Sequence, residues 1–501
     1  MKTKISPAHS GQVRRRSRPR NGFPATAPKN KATERAARSS DGQKNEAISP
    51  VVTSRDIDEL RPYRRNARKH SPKQIAQIAA SVRRFGFINP VLIDEADRIM
   101  AGHGRVAAAK EIGLERIPTI RVDHLSDSEK RAYIIADNRL AELAGWDTEI
   151  LAIELQHLGG LDLDFDLEIT GFETAEIDLI IEGVGPDATP DPADEVPAPG
   201  ENDPVVSRPG DLWQLGRHLL LCGDALKGNS YERVLGGDKA QMVFTDPPYN
   251  VPIAGHVSGL GRTKHREFAM ASGEMSEAEF TAFLGTMLTR LVEHSCDGAV
   301  LDICMDWRHL HELFVASRQA GLRQLNLCVW NKDNGGMGSL YRSKHELVCI
   351  FKSGDAPHIN NVELGRHGRY RTNVWDYAGI NSFKTDRDAE LAMHPTVKPI
   401  ALVTDAIKDC THRNGLVLDP FSGSGTTILA AERAGRMARA IELDPLYIDV
   451  AIRRWQRATG QSVIHVESGR TFDQVAEILA LEANGSADTH NRDLGKEMHH
   501  G

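Results

Sequence analysis

One short stretch of the chain reads Thr245-Asp246-Pro247-Pro248-Tyr249-Asn250. The mostly apolar run at residues 241–244 precedes it and predicts a buried strand. The two prolines prevent this strand from continuing as a helix or as part of a hydrogen-bonded ladder. We therefore expect a carboxylate, a rigid turn and an aromatic ring at the carboxyl end of a strand, which is the edge where open α/β sheets bind ligands.

These groups suit a planar base that carries an exocyclic amine. The Asp246 carboxylate and the Pro247 carbonyl can accept the two amine protons, while Tyr249 covers the face of the ring. The stretch resembles the Asp-Pro-Pro-Tyr motif of amino-group DNA methyltransferases, and the resemblance gives the catalytic roles to Asp246, Pro247, Pro248 and Tyr249. Taken alone, the same residues also fit a strand that ends in a proline turn with a capping aspartate.

A second motif, at residues 416–427, predicts a strand, a glycine-rich turn and the start of a helix. Glycines let the backbone approach a ligand closely, and a helix N-terminus favours a negative group. A further strand at 438–441 ends in Glu442, which follows Gly425 by 17 residues. An acid about 20 residues after such a turn is typical of a carboxylate that binds a ribose.

A third block, residues 393–399, precedes a predicted helix and resembles the motif that holds the methionine end of S-adenosylmethionine in the same family. The resemblance implies S-adenosylmethionine as the cofactor. It places the contacts with this cofactor at Asp224, Thr396, Lys398, Asp419, Phe421, Gly423, Gly425, Thr426 and Glu442.

The order of the motifs, with catalysis before cofactor binding, resembles the circularly permuted β-group of these enzymes. The resemblance covers about residues 209–459 and implies a doubly wound class I S-adenosylmethionine-dependent methyltransferase sheet, of the α/β class. Residues 218–224 match its third strand, the strand into Asp246 its fourth and residues 299–304 its fifth. We predict a methyltransferase domain over 209–470, followed by a helix and a frayed tail over 471–501.

Residues 51–182 predict a separate small α+β domain. One helix shows its apolar face and stops at Gly86, and two short strands then lead into Gly102-His103-Gly104-Arg105 at a helix start. This pattern resembles the N-terminal domain of ParB partition proteins, whose Gly-x-x-Arg region contacts nucleotide phosphates, so Gly102, His103, Gly104 and Arg105 are candidate nucleotide contacts. The family has Glu-Arg-Arg after the first glycine, and a structural helix-entry turn is the alternative. We expect no helix-turn-helix downstream.

Two further segments have compositions that do not support a hydrophobic core. Residues 1–50 contain 12 Lys or Arg against 3 Asp or Glu, although the whole chain carries a net charge of −7. We expect this tail to be disordered and either to attract phosphates or simply to aid solubility. Residues 183–208 are rich in proline and acids and predict an extended spacer.

Composition favours a cytoplasmic enzyme. The 6 cysteines include no Cys-x-x-Cys pair, so the sequence supports neither a metal site nor a disulfide framework. We also expect no membrane span and no signal peptide. The chain has no Pro-Cys dipeptide, the motif that carries the nucleophile for methylation of a cytosine ring carbon, whereas methylation of an amino nitrogen needs no covalent intermediate.

Two loops are candidate DNA contacts, with ordinary solvated loops as the alternative. Residues 251–275 offer Arg262, Lys264 and Arg266, and residues 355–388 offer Arg369 and Arg371. The interpretation is site-specific methylation of adenine N6 in double-stranded DNA, in the setting of restriction-modification. Cytosine N4, an RNA or protein substrate, and a non-catalytic ParB-like adaptor are the alternatives. The recognised motif, a partner nuclease and a homodimer stay open.

Overall fold

The computed structural model describes residues 50–161, 163–183, 192–194, 196, 205–251, 273–333, 340–365, 369–378 and 397–482. The chain divides into two units, Met1–Val51 and Val52–Gly501, and everything below concerns the second. The predicted basic tail lies outside the described residues, as does the C-terminal end after residue 482.

The ParB-like domain is built on a four-stranded sheet. Its strands are β1 (Val52–Asp56), β2 (Val91–Ile93), β3 (Ile99–Ala101) and β4 (Arg116–Arg121), in the order β1-β4-β2-β3. Its helices are α1 (Pro72–Phe85), α2 (His103–Glu111) and α3 (Asp127–Leu143). Helix α1 starts after Ser71, whose side chain accepts a hydrogen bond from the Gln74 N–H, and ends before Gly86 as the sequence predicts.

A small helical cluster follows this domain. Helix α4 (Thr148–Gly160), a 3₁₀ turn (Leu167–Thr170) and helix α5 (Thr174–Glu182) share a core of Leu155, Leu167 and Ile177. Asp178 of α5 is buried and accepts hydrogen bonds from Arg413 and Arg436 of the following domain. The cluster is therefore fixed to the methyltransferase domain by buried ion pairs.

The methyltransferase domain is built on a ten-stranded sheet in the order β11-β9-β10-β8-β7-β12-β13-β6-β5-β14. Its strands are β5 (Leu212–Leu215), β6 (His218–Cys222), β7 (Ala240–Thr245), β8 (Ser295–Met305), β9 (Arg323–Asn331), β10 (His345–Lys352), β11 (Val374–Asp376), β12 (Leu416–Asp419), β13 (Met437–Glu442) and β14 (Ile464–His465). Its helices are α6 (Gly228–Leu235), α7 (Glu277–Glu293), α8 (Leu310–Gln319), α9 (Ile400–Cys410), α10 (Thr426–Ala434) and α11 (Pro445–Thr459).

The central strands β8, β7, β12, β13 and β6 pair in parallel, which confirms the predicted doubly wound sheet. In the sheet, β8 lies beside β7 on the side away from β12, and β13 lies beside β12 on the side away from β7. The chain therefore moves outward in opposite directions from these two strands. The two neighbouring strands thus form the point at which the winding reverses, and such a point leaves a crevice at the carboxyl ends of the strands. The catalytic motif follows one of these strands and the glycine-rich turn follows the other.

Helices cover both faces of this sheet. Met242 and Phe244 of β7 pack in one core cluster with α9, α10 and α11, while Val243 between them packs in the other with α6, α7 and α8. This alternation is what a strand buried on both faces requires.

Described residues within the predicted spacer, 183–208, pack against the methyltransferase domain. Ala193 is buried in the core of the methyltransferase domain, and Val206 is 1% exposed. The backbone N–H groups of Val206 and Ser207 both donate to the Asp449 carboxylate. Proline and acid content did not reveal this packing, because a single buried alanine or valine leaves no periodic signal.

Candidate active site

Asp246 lies directly after β7, and the turn behind it is held in place by Asn250. The Asn250 side chain donates to the Met275 carbonyl at 2.8 Å and accepts from the Gly273 N–H at 3.1 Å. It therefore joins both ends of the loop that begins after the catalytic motif. The candidate DNA contacts Arg262, Lys264 and Arg266 in this loop lie outside the described residues.

A buried charge network surrounds the Asp246 carboxylate. The Tyr249 hydroxyl donates to one oxygen, and the Lys398 ammonium donates to the other at 2.5 Å. The Lys398 side chain is 4% exposed, and its nitrogen also lies 2.9 Å from a carboxylate oxygen of Glu346. The structure thus brings together Asp246, Tyr249 and Lys398, which are 152 positions apart at their widest.

Glu346 and Lys332 complete this network, although the sequence analysis assigns no role to either. Lys332 donates to Glu346 and lies over the Trp330 ring, with its nitrogen 4.6 Å from the ring centre. Strands β9 and β10 pair antiparallel with Trp330 opposite Glu346. This register places Glu346, and Lys332 just after β9, beside the site. The pairing of these two strands, which a local sequence pattern does not reveal, connects the two residues.

The electrostatics of the network favour the ionised forms of Glu346 and Lys398. Burial acts to raise the pKa of Glu346, but Lys398 and Lys332 outweigh it and hold that pKa below its usual value. Burial likewise acts to lower the pKa of Lys398, but the carboxylates of Asp246 and Glu346 outweigh it and raise that pKa. Burial also raises the pKa of Tyr249, so its hydroxyl keeps its proton and acts as a donor.

The glycine-rich turn packs too closely for any other residue at its end. Gly425 has φ of 83°, and an added Cβ would lie 2.8 Å from the Ala451 Cβ. Arg454, a buried residue of α11, donates to the Ser424 carbonyl at 3.2 Å and to the Thr426 hydroxyl at 2.9 Å. The sequence did not identify Arg454, because an arginine on an amphipathic helix is usually a surface residue.

Glu442 connects this turn to the end of β13. Its carboxylate accepts from the Gly423 N–H at 2.9 Å and from the Asp444 N–H at 2.9 Å. Burial raises its pKa to about 7, although both backbone bonds act in the opposite direction. Asp224 lies just beyond β6, which pairs in parallel with β13, so the two acids leave the same edge of the sheet.

Asp419 lies inside this arrangement. It is 4% exposed, and its carboxylate accepts from the Thr245 hydroxyl at 2.9 Å, the Thr427 hydroxyl at 2.6 Å and the Phe421 N–H at 3.1 Å. Burial raises its pKa to about 6 against these hydrogen bonds. Asp419 therefore joins the end of β7 to the glycine-rich turn, and Phe421 beside it packs against Phe283 with ring centres 6.2 Å apart. Thr396 lies outside the described residues.

The structure corrects the expectation that Arg369 and Arg371 lie on an exposed loop. Arg369 is 8% exposed and donates to Asp409 at 2.9 Å. Arg371 donates to Asp409 at 2.9 Å and to the Tyr377 hydroxyl at 2.6 Å. Both guanidinium groups thus join their segment to α9, where they are not accessible to phosphates.

The predicted nucleotide turn of the ParB-like domain lies between β3 and α2. Gly102 has φ of 104°, and an added Cβ would lie 3.0 Å from the Arg105 guanidinium, which folds back over it. The Tyr63 N–H donates to the His103 ring at 3.3 Å, and burial lowers the pKa of His103. Gly104 is buried beside His70.

Comparison with known families identifies three parts of the chain. Residues 39–139 match the ParB N-terminal domain, residues 149–209 match a ParB-methyltransferase HTH domain and residues 240–453 match the N6/N4 family of DNA methylases. The chain thus combines a domain that matches the N6/N4 DNA methylases with preceding domains that match ParB-type families. It is a DNA methyltransferase.

Individual relatives cover different parts of the chain. The ParB-like nuclease domain-containing protein YnaK of Escherichia coli is 46% identical over 80 residues, which are 16% of this chain and 92% of YnaK. The type II methyltransferase M.ScaI of Streptomyces caespitosus is 38% identical over 19% of this chain and 31% of its own length. The type II methyltransferase M2.MboI of Moraxella bovis is 24% identical over 44% of this chain and 81% of its own length.

The match at 149–209 shows that the expectation of no helix-turn-helix was wrong. Helices α4 and α5 fall in this range, but a 3₁₀ turn lies in the connection between them. A helix-turn-helix is recognised in a sequence by a short turn between two helices, and the longer connection hid that signal. In the part of the chain that the structure describes, no helix combines the length and apolar character needed to cross a membrane.

Proposed function

We propose that this DNA methyltransferase is site-specific and transfers a methyl group from S-adenosylmethionine to the exocyclic N6 of adenine in duplex DNA. The observation that carries the proposal is the Asp246 carboxylate, held by Tyr249 and Lys398 at the carboxyl end of β7. The neighbouring strand β12 ends in the glycine-rich turn, so an amine acceptor and a cofactor cradle lie on either side of one crevice.

The second half of the crevice fits S-adenosylmethionine. The partly exposed Gly423 leaves backbone without a side chain in the turn before α10, and Gly425 lets that turn pack closely against α11. Glu442 keeps acceptor capacity for ribose hydroxyls beyond its two backbone bonds, and Asp224 on the next strand can accept from an adenine amino group. The cofactor supplies a methyl group that its sulfonium makes electrophilic.

Asp246 and Pro247 act on the target amino group. Its nitrogen is a poor nucleophile because its lone pair is delocalised into the ring, and it is inaccessible until the base is flipped out of the duplex. The Asp246 carboxylate and the Pro247 carbonyl accept hydrogen bonds from the two N–H groups of this amine, which favours a pyramidal nitrogen, while Tyr249 covers the base. An ionised carboxylate has about four acceptor positions, so Tyr249 and Lys398 leave room for the amine on Asp246. Positioning then supplies much of the rate acceleration.

Lys398 acts as a positioning residue for Asp246 in this proposal. Its ammonium lies between Asp246 and Glu346, at 2.5 Å and 2.9 Å, so it both orients the acceptor and balances its buried charge. This role differs from the expected contact with the cofactor's methionine end. Glu346 keeps the ammonium in place and is in turn paired with Lys332.

Asp246 favours adenine over cytosine, since in the resembling family an Asp at this position goes mostly with adenine N6 and a Ser mostly with cytosine N4. DNA cytosine-N4 methylation is the alternative, and methylation of RNA or protein ranks below it. Nucleoside mass spectrometry of genomic DNA from cells that express the chain tests this proposal. We expect N6-methyladenine at one short motif. N4-methylcytosine alone would change the base and keep the mechanism, whereas unmodified DNA with methylated RNA would overturn the proposal.

A second proposal concerns nucleotide binding by the ParB-like domain. A cavity of about 580 Å³ lies between α1 and the 3₁₀ turn at residues 167–170, and Arg105 lines it. The Arg105 Nε is buried and has no hydrogen-bond partner among the described residues, and burial lowers the pKa of this guanidinium. A phosphate oxygen would satisfy this donor. Calorimetry with each of the four ribonucleoside triphosphates tests the proposal. The absence of binding heat with all four would contradict it.

A further inference from the structure

The ParB-like domain contains a long stretch without any acid. Residues 61–93 include eight Lys or Arg and no Asp or Glu, in a chain whose net charge is −7. Five of the eight cations fall within residues 61–69, in the connection between β1 and α1. We call residues 61–70 the basic loop.

Neighbouring acids neutralise only part of this stretch. Arg68 pairs with Glu142, Lys73 with Glu173 and Arg84 with Asp164. In the basic loop, Arg61, Arg64, Arg65 and Lys69 are exposed. None of these four forms an ion pair with another residue that the structure describes.

The basic loop is held in a fixed course in spite of its exposure. The Arg61 N–H donates to the Asp97 carbonyl at 2.9 Å, and the Arg61 carbonyl accepts from the Ile99 N–H at 2.9 Å. Farther along, the Asn66 N–H donates to the Tyr63 carbonyl at 3.0 Å, and the Asn66 side chain accepts from the Arg68 N–H at 3.1 Å. The cations are therefore presented on an ordered backbone and lose less freedom on binding than cations on an unstructured tail would.

The form of this surface decides which anion it fits. Arg64, Arg65 and Lys69 do not line the cavity beside Arg105. They are three exposed cations within six residues of chain, and duplex DNA presents a row of phosphates with about one charge per 1.7 Å of its axis. Arginine also matches phosphate oxygens with two parallel hydrogen bonds.

We infer that the basic loop contacts the phosphate backbone of duplex DNA outside the crevice where the base is methylated. These contacts add affinity without reading the sequence, and they hold DNA on the ParB-like domain while the methyltransferase domain acts on the base. The inference rests on the proposed function in one respect, since it takes duplex DNA to be the substrate.

Fluorescence anisotropy with a labelled duplex, over a series of salt concentrations, tests the inference in the full chain. The triple variant Arg64→Ala/Arg65→Ala/Lys69→Ala should make the slope of log K for DNA binding against log salt less steep by about 2.7. Each lost phosphate contact releases about 0.9 fewer counterions. The loss should be the same for duplexes of different sequence. The matched control Arg318→Ala/Arg323→Ala/Arg457→Ala removes three exposed cations from the methyltransferase domain and should change the slope by less than about 1.

Two results would overturn the inference. One is an unchanged salt slope in the loop variant, and the other is a loss that appears with anionic lipid vesicles but not with DNA. The charge-preserving variant Arg64→Lys/Arg65→Lys should keep most of the slope of the unmodified protein. This result would show that the loss in the alanine variant comes from charge and not from a change in local folding. Calorimetry with S-adenosylmethionine should give the same affinity for all variants. If the protein binds DNA with the expected slopes but methylates no base, the proposed function fails and this inference stands.

Discussion

Two glycine turns in this molecule have the same local plan but different support. In the methyltransferase domain the turn between β12 and α10 is held by Glu442 and by Arg454, and each of these side chains hydrogen-bonds to the turn itself. In the ParB-like domain the turn between β3 and α2 is covered by its own Arg105, whose Nε lacks a partner among the described residues. Side chains from two other elements hold the first turn, whereas the second turn is covered by its own arginine.

The difference indicates how each turn can meet a ligand. A turn whose backbone is fixed by buried side chains from α11 and β13 is organised before any ligand arrives, so binding there orders few further groups. At the ParB-like turn the Arg105 Nε has no partner among the described residues, so a ligand must itself order this side chain, and we expect weaker binding there. We therefore expect substitutions at the methyltransferase crevice to have the larger effects.

The largest effect should come from Asp246→Ala. Removing the acceptor should lower the methyl-transfer rate by roughly 10³-fold, similar to the loss of a single preorganised group that stabilises charge in a transition state. The affinity for S-adenosylmethionine, measured by calorimetry, should change little because Asp246 leaves a different strand from the glycine turn. Equal loss of methyl transfer and cofactor binding would show that Asp246 is structural.

Lys398→Met should lower kcat by roughly 10²-fold, because it leaves the Asp246 and Glu346 carboxylates buried near each other without the cation between them. The KM for S-adenosylmethionine should stay within a few-fold of its original value. Lys398→Arg should restore part of the rate, and circular dichroism should confirm that each variant is folded.

The matched control is Lys332→Met, which removes the more exposed lysine of the same network and should cost less. If Lys398→Met raises the KM for S-adenosylmethionine and leaves kcat unchanged, Lys398 holds the cofactor instead of positioning Asp246.

We expect an effect of intermediate size when the affinity for S-adenosylmethionine is measured as a function of pH, through the ionisation of Glu442. Since burial raises its pKa to about 7, the carboxyl is largely protonated at pH 5.5 and ionised at pH 8.5. The ionised form accepts ribose hydroxyls better, so the affinity for S-adenosylmethionine should rise with pH and level off above about 7. The same raised pKa means that the free protein loses stability as pH rises from about 4.5 to about 7, because the folded state holds its proton more tightly there.

Glu442→Gln should remove the pH dependence of binding, as measured by calorimetry. It should reduce the pH dependence of stability, as measured by thermal melting, without removing it, because Asp419 also has a raised pKa. An affinity that stays constant with pH in the unmodified protein would contradict the assignment of Glu442 to the cofactor.

The smallest effect on methylation should come from Arg105→Ala. This variant should abolish any nucleotide binding by the ParB-like domain and change the methylation rate by less than about 2-fold, because its site is separate from the crevice. Arg131→Ala, on the exposed face of α3, serves as the control and should change neither property. A large loss of methylation in Arg105→Ala would show that the two glycine turns act together.

The sequence predicted those parts of the fold that depend on local pattern. Proline after a buried strand located Asp246, and glycines before a helix located both turns. The resemblance to a permuted methyltransferase then predicted which strands lie side by side, and the observed sheet order confirms the doubly wound arrangement.

Long-range pairing was not predictable in the same way. Glu346 reaches Lys398 only because β10 pairs with β8 and β9, and Arg369 is buried only because α9 presents Asp409 to it. A charged residue that becomes buried through such pairing can have the same neighbouring sequence as a charged residue on the surface. For this reason the sequence assigned Arg369 and Arg371 to DNA and gave no role to Glu346 or Arg454.

The central claim is that this chain methylates the amino group of adenine in DNA, and purified protein tests it most directly. Duplex DNA is incubated with S-adenosylmethionine that carries a deuterated methyl group, and the nucleosides are then analysed by mass spectrometry. We predict deuterated N6-methyladenine from the unmodified protein and none from Asp246→Ala. Label in no DNA base, or label in N6-methyladenine that persists in Asp246→Ala, would contradict the account.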